Sequence, residues 1–216
     1  MRIGLIGPIG SGKSTLSRLL AEHYEVPLIE EPVEKNEFLP LFYQDQKTFA
    51  LLSQNAFYSS LFLLMWKSRL EESCVFDSTL FSNLVFTELL RLEGTMSAYE
   101  VALTYAIADE HLKRLPDVDM HIVLVKDKES LFKNVEKRGR EMEKDQIDYL
   151  NFHYDHYYDV LDRIFKNYQV PEEKILYLNF DDAYKPEELE RVRKIIEAHH
   201  AGLPKELLAN IEQYKK

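Results

Sequence analysis

The stretch Gly7-Pro8-Ile9-Gly10-Ser11-Gly12-Lys13-Ser14 decides how the rest of this sequence is read. It matches the spacing G-x-x-x-x-G-K-[ST] and lies between an apolar run, Arg2 to Ile6, and a helical pattern that opens with Ser14-Thr15-Leu16. The whole chain has 7 glycines, and Gly7, Gly10 and Gly12 fall within this octet. Glycines at that spacing let the backbone curl until successive N–H groups point inward at phosphate oxygens, and the following helix adds the positive end of its dipole. In such a loop Lys13 reaches the terminal phosphates of a nucleoside triphosphate and the Ser14 hydroxyl ligates Mg²⁺, with Thr15 in the first turn behind it.

Working outward, short apolar runs alternate with longer helical patterns. Arg2 to Ile6, Leu28 to Glu30, Cys74 to Asp77, His121 to Val125 and Lys174 to Leu178 read as buried strands. The order predicts an α/β fold: a doubly wound, parallel, five-stranded sheet with helices on both faces. Ile147, Leu150, Tyr154, Tyr157, Leu161 and Ile164 recur by three and four, which marks a long amphipathic helix. Pro186 opens a last helix ending near His199, and Gly202-Leu203-Pro204 breaks it. Residues 1–200 therefore read as one domain and 201–216 as a short helical tail.

The frame Phe49, Leu52, Ala56, Leu63, Trp66 and Leu70 describes a helix that is apolar on most sides and must be covered on most sides. Packing within one subunit and a seam between two subunits both satisfy that demand. Its most apolar segment, Phe57 to Trp66, is interrupted by Ser59 and Ser60 and is too short to cross a bilayer.

Composition narrows the function. The 216 residues are 45 % hydrophobic and 30 % charged, as for an ordinary globular chain. A formal charge of -10 repels a phosphate backbone and argues against general nucleic-acid binding, while leaving room for a small phosphorylated ligand in a local positive field. The single cysteine, Cys74, and the absence of a signal-peptide pattern predict a cytoplasmic protein.

The remaining strand ends supply the chemistry. Asp77 closes the third strand on the edge where open parallel sheets bind ligands, within reach of a metal's water shell. Glu30 and Glu31 close the second, and alternation along a strand sends only one of them into the site, where a carboxylate could take a proton from an attacking hydroxyl. Lys137-Arg138-Gly139-Arg140 offers guanidinium groups that could swing over a triphosphate. The nucleotide-switch alternative lacks its base-reading stretch, since Val125-Lys126-Asp127-Lys128 does not supply Asn-Lys-x-Asp. His153 and His156, three apart, read as helix-surface residues, with no third ligand for a metal.

With these segments in order, the chain resembles the deoxynucleoside kinase family, and most closely its bacterial deoxyadenosine/deoxyguanosine kinases. The resemblance is carried by the loop Gly7 to Ser14, by Glu31-Pro32-Val33-Glu34, by Leu39-Pro40-Leu41-Phe42-Tyr43 and by Lys137-Arg138-Gly139-Arg140. It implies a P-loop kinase fold and transfer of the ATP γ-phosphate to a deoxynucleoside 5′-hydroxyl, in a homodimer built through long helices. It further implies Glu31 as general base, Tyr43 and Glu143 on the sugar 3′-hydroxyl, Gln54 making paired hydrogen bonds to the base edge, Phe57 lining the base pocket, Asp77 serving Mg²⁺, and Arg138 and Arg140 as lid arginines.

Four positions depart from the family pattern. Ser78 stands where an arginine usually follows the aspartate, Leu61 replaces another arginine, Asn83 replaces that arginine's aspartate partner, and Asn134 replaces an early lid arginine. Joint loss of the second pair is coherent, because one charge of a buried pair left alone costs several kcal/mol. A retuned base pocket follows, with a purine favoured and a pyrimidine still possible. Loss of the arginine at Ser78 leaves two rivals in play: a catalytically weak nucleotide-binding subunit, and, with fewer cations than it would need, a nucleoside monophosphate kinase.

Overall fold

The computed structural model describes residues 1–140, 143, 146–180 and 185–202. The expected tail from Leu203 to Lys216 lies outside them. Five strands, β1 (Arg2–Ile6), β2 (Leu28–Ile29), β3 (Cys74–Phe76), β4 (Met120–Val125) and β5 (Ile175–Asn179), form one sheet in the order β2-β3-β1-β4-β5. Every pairing is parallel, with Gly4 opposite Phe76 on one side and opposite His121 on the other. The expected sheet is present, with boundaries moved by one residue: β2 ends at Ile29, before the glutamates, β3 ends at Phe76, before Asp77, β4 begins at Met120, and β5 runs from Ile175 to Asn179.

Among the described residues the helices are α1 (Lys13–Tyr24), α2 (Leu39–Gln44), α3 (Gln46–Lys67), α4 (Leu80–Glu93), α5 (Ala98–Leu112), α6 (Lys128–Arg138), α7 (Ile147–Asn167) and α8 (Pro186–His200). Side chains of alternate parity leave the sheet in opposite directions, which creates two cores. Ile6, Phe76 and Val123 pack under α3, α4 and α7, whereas Ile3, Leu5, Val75, Ile122 and Leu124 pack under α1 and α8. Because both faces are covered, β4 is buried at every position, and its sequence is apolar except for His121.

β1 lies centrally, so the loop after it opens in the middle of the sheet's carboxyl edge, flanked by the ends of β3 and β4. A third apolar cluster, including Phe42, Ala50, Leu131, Tyr149 and Tyr154, joins α2, α3, α6 and α7 beside that edge. No described helix is long and apolar enough to cross a membrane.

The long amphipathic helix appears as α7, with Tyr157, Val160 and Leu161 fully buried. The histidine expectation fails here: His153 is only 1 % exposed. It stands three residues after Leu150 on the buried stripe, packed 4.0 Å from the Tyr149 ring, and its Nε2 is 3.9 Å from Glu93. Burial pushes its imidazole down from the ordinary value. His156 is half-buried, stacked on Phe152. Among the described residues no cluster of three or more His, Cys, Asp or Glu could hold a metal.

Candidate active site

The loop between β1 and α1 takes the shape its glycines permit. Gly10 and Gly12 have φ of 84° and 95°, in the left-handed region that side chains disfavour, and Gly12 is the residue that caps α1. A Cβ on Gly10 would sit 2.6 Å from the Leu131 carbonyl oxygen, so the loop is also pressed against α6. Lys13 Nζ donates to the carbonyls of Gly7 at 2.8 Å and Pro8 at 3.2 Å.

Above the loop lies a cavity of about 670 Å³, a size suited to a small organic ligand. Ile9, Gly10, Ser11, Gly12, Lys13, Ser14 and Thr15 form one end, and Tyr43, Gln54, Phe57, Asn83 and Phe86 form the other. Glu31, Glu143, Arg138 and Arg140 also face it. Of the residues singled out from sequence, Gly7, Pro8 and Asp77 do not line it. Asp77 is buried at 6 % exposure just past β3, and its Oδ1 has no hydrogen-bond partner among the described residues.

The two strand-end glutamates separate. Glu30 is exposed, 3.9 Å from Arg18, whereas Glu31 turns into the cavity. Strand alternation does not explain this, because β2 has already ended at Ile29; the split comes from the turn that follows. Burial pushes the Glu31 carboxyl above its ordinary range, the charge of Lys13 opposes that, and Asp77 reinforces it. The Ser78 hydroxyl lies near enough to favour the Glu31 carboxylate, though it forms no close hydrogen bond. Burial also lowers the Lys13 ammonium, and Glu31 and Asp77 pull it back up.

The basic segment is anchored at its end. Arg138 Nη2 bonds Glu143 Oε2, and Arg140 Nη1 is 3.6 Å from the other oxygen of Glu143, which is 3 % exposed. Paired with both guanidinium groups, this buried carboxylate ties the two arginines together beside the cavity. The phenol of Tyr43 is shifted upward by burial and then by Glu143. Although the chain carries a charge of -10, the cavity wall carries Lys13, Lys126, Lys137, Arg138 and Arg140 against Glu31 and Glu143. That is a local positive field aimed at one end of a ligand.

At the other end, Gln54 is 8 % exposed, and its Oε1 accepts from Asn83 Nδ2 at 3.1 Å and from Thr87 Oγ1 at 3.5 Å. Leu61 is 3 % exposed and belongs to the core beneath α3, so it does not open space in the cavity. Phe86, Tyr149 and Lys126 line the cavity without having been singled out from sequence. Phe86 lies three residues after Asn83 on α4 and Lys126 directly follows β4, so helical spacing and the strand-edge rule were signals for those two. Tyr149 offered none.

A sequence profile described as deoxynucleoside kinase matches residues 3–200. The chain belongs to the deoxynucleoside kinase family. Among its curated relatives in this family, a deoxyguanosine kinase of Lactobacillus acidophilus is 31% identical over 149 residues, 66% of this chain and 64% of the relative. A deoxyadenosine kinase of Dictyostelium discoideum is 28% identical over 200 residues, 89% of this chain and 77% of the relative. The match spans slightly less than two thirds of the length of the Lactobacillus deoxyguanosine kinases. Among solved structures, a deoxyadenosine kinase from M. mycoides with products dCMP and a flexible dCDP bound superposes with a TM-score of 0.74 at 20% identity, covering 92% of this chain and 100% of that one. That deoxynucleoside kinase thus shares this chain's fold, the P-loop kinase fold that the resemblance implied.

Proposed function

We propose that this protein is an ATP-dependent deoxynucleoside kinase, transferring the γ-phosphate of ATP to the 5′-hydroxyl of a deoxynucleoside. The observation that carries the reading is one cavity with a phosphate-shaped loop at one end, an aromatic slot with an amide at the other, and the Glu31 carboxyl between them. Family membership and relatives named deoxyguanosine and deoxyadenosine kinases support a purine deoxynucleoside as acceptor.

The loop amides and Lys13 hold the donor's phosphates, and Arg138 and Arg140 balance the negative charge as it shifts toward the leaving oxygen. Glu31 accepts the proton of the 5′-hydroxyl as the oxygen–phosphorus bond forms. Tyr43 and Glu143 hold the sugar, while Phe57 and Phe86 enclose the base next to Gln54 and Asn83. Placing the two reactants in line supplies much of the rate, because little covalent chemistry is left to the protein.

The donor set fits a magnesium ion at the loop: Ser14 lines the cavity, and the buried Asp77, whose Oδ1 has no hydrogen-bond partner among the described residues, is close enough to Lys13 to act on its charge. When bound with the triphosphate, Mg²⁺ would neutralise charge and fix the phosphates. We take residues 1–200 as the catalytic domain, with 201–216 appended, and the protein as cytoplasmic. A homodimer is supported by an exposed apolar face on adjacent helices: Leu52 and Leu63 on α3, and Tyr99, Leu103 and Ile107 on α5.

Purified protein with Mg-ATP and each common deoxynucleoside in turn tests the reading. A monophosphate product is expected, and Glu31→Gln should lower turnover by about 10² to 10⁴. Nucleotide binding without product from any nucleoside overturns it. The weak-subunit reading has one observation in its favour, the buried Ser78 hydroxyl without a hydrogen-bond partner among the described residues where the family pattern has an arginine. It gains if Ser78→Arg then creates turnover.

A further inference from the structure

Phe57 and Phe86 line the part of the cavity that would take the base, and among the described residues there Gln54 has a hydrogen-bonding end that is both uncommitted and open to solvent. Which end of that amide faces the cavity decides what the site can read. An amide can be turned end for end without changing its outline, so the answer has to come from its neighbours. Asn83 supplies it. Its Nδ2 lies 3.3 Å from the main-chain carbonyl of Gln54, a group that can only accept. Asn83 therefore presents its NH₂ on that side, and what that NH₂ meets on the Gln54 side chain, 3.1 Å away, must be the oxygen.

Thr87 Oγ1 approaches the same oxygen at 3.5 Å from one turn further along α4, so Oε1 is engaged from the α4 side by Asn83 and faced by a second donor there. Gln54 Nε2, by contrast, has no hydrogen-bond partner among the described residues and is not shut off from solvent. The Asn83 Oδ1 atom is closed to solvent and offers a base no acceptor. The paired hydrogen bonds that family resemblance implies for Gln54 would then both be donated by its NH₂.

We propose that Asn83 and Thr87 make Gln54 a donor-only reader, so that the site selects a purine with an oxygen at position 6 over one with an amino group there. Guanine presents N7 and O6 as adjacent acceptors, which suit the two hydrogens of one NH₂; adenine presents N7 beside an amino group, which sets donor against donor. This inference rests on the deoxynucleoside reading of the cavity, and it names the substrate within that class. Hypoxanthine carries the same N7 and O6 pair without the 2-amino group, so deoxyinosine belongs with deoxyguanosine.

The test compares kcat/KM for deoxyguanosine, deoxyinosine and deoxyadenosine with saturating Mg-ATP, alongside calorimetric binding of each nucleoside. Both 6-oxo substrates should exceed deoxyadenosine by about tenfold or more, the effect of one mismatched hydrogen bond in a desolvated pocket. Asn83→Asp keeps the shape but turns an acceptor toward Gln54, so the amide should rotate and the ratio fall by about tenfold. Thr87→Val, a smaller change that leaves one lone pair of Oε1 open, should move the ratio in the same direction; it decides the matter if the Asn83→Asp protein fails to melt cooperatively. Equal or better use of deoxyadenosine by the wild type, or a ratio indifferent to a folded variant, overturns the proposal. Selective binding without turnover would sink the kinase reading and leave the orientation of Gln54 supported; a protein that binds none of the three overturns both.

Discussion

Asn134 on α6 donates a 2.7 Å hydrogen bond to the backbone carbonyl of Gly10, and so ties the helix that leads into the arginine segment to the crest of the phosphate loop. The contact is half-buried, and the Gly10 position leaves no space for another side chain, since a Cβ would meet Leu131. Removing the donor strands an acceptor, with a net cost of about 1 kcal/mol that falls on the loop's preorganisation. Asn134→Ala should therefore raise the KM for ATP about fivefold. Asn134→Asp, which sets a carboxylate against a carbonyl, should raise it further. Steady-state rates with ATP varied at saturating nucleoside check this, and an ATP KM untouched by both changes refutes it.

Glu31 links activity and stability with opposite signs. Its carboxyl is held above the ordinary range by burial, and a general base works only when ionised. The acid limb of kcat/KM should accordingly have its midpoint above that of an ordinary glutamate, about 4.3. A carboxyl whose folded pKa is raised contributes stability below the unfolded pKa, and that contribution is lost as pH rises through the folded value. Glu31→Gln, neutral at every pH, should melt higher than the wild type at pH 7 to 8 and match it near pH 4, while losing turnover. A lower melting temperature at pH 7 would show that the Lys13 charge outweighs burial.

How much of this was legible in the sequence depends on how local the physics is. The phosphate loop was readable because Gly10, Gly12 and the start of α1 impose their geometry within eight residues. The sheet was readable because strands covered on both faces must be apolar throughout. The choice between Glu30 and Glu31 was not, since β2 stops before both. The oxygen end of Gln54 was hidden as well, for its partners Asn83 and Thr87 arrive from α4, 29 and 33 residues later. His153 was misread because two histidines three apart drew attention to each other. The stripe that governs them is Leu150, Tyr154 and Tyr157, and it carries His153 inward.

The exposed face of α3 and α5 should behave as a subunit contact. Tyr99, Leu103 and Ile107 repeat every four residues along α5 at 73%, 46% and 50% exposure, beside Leu63 at 53%. A continuous stripe of this kind is what a helix offers to another helix, and separate apolar residues scattered on a surface do not form one. Leu103→Glu should halve the mass measured by light scattering at micromolar concentration, and Leu63→Glu should do the same. A wild type that already runs as a monomer at that concentration removes the proposed dimer.

His121 should make the protein sensitive to mild acid far from the cavity. It sits in β4 at 4 % exposure, its ring 5.3 Å from that of Phe81 and 5.6 Å from that of Phe165, with no partner for Nδ1 among the described residues. Burial, reinforced by Lys174, pushes its pKa down to about 4 from 6.5. Above the unfolded value both states are neutral and the contribution to stability is complete. Between about 6.5 and 4 the unfolded chain binds a proton that the folded chain refuses, so stability falls with pH across that window, by an amount on the order of 2 to 3 kcal/mol. Urea unfolding of the wild type and of His121→Met at half-unit steps isolates the effect, because the carboxylates that titrate in the same range are common to both. The stability difference between them should shift in favour of the methionine variant as pH drops from 6.5 to 4. A difference that stays constant across that window would mean that the ring accepts its proton inside the fold, and that the sheet relaxes to solvate it.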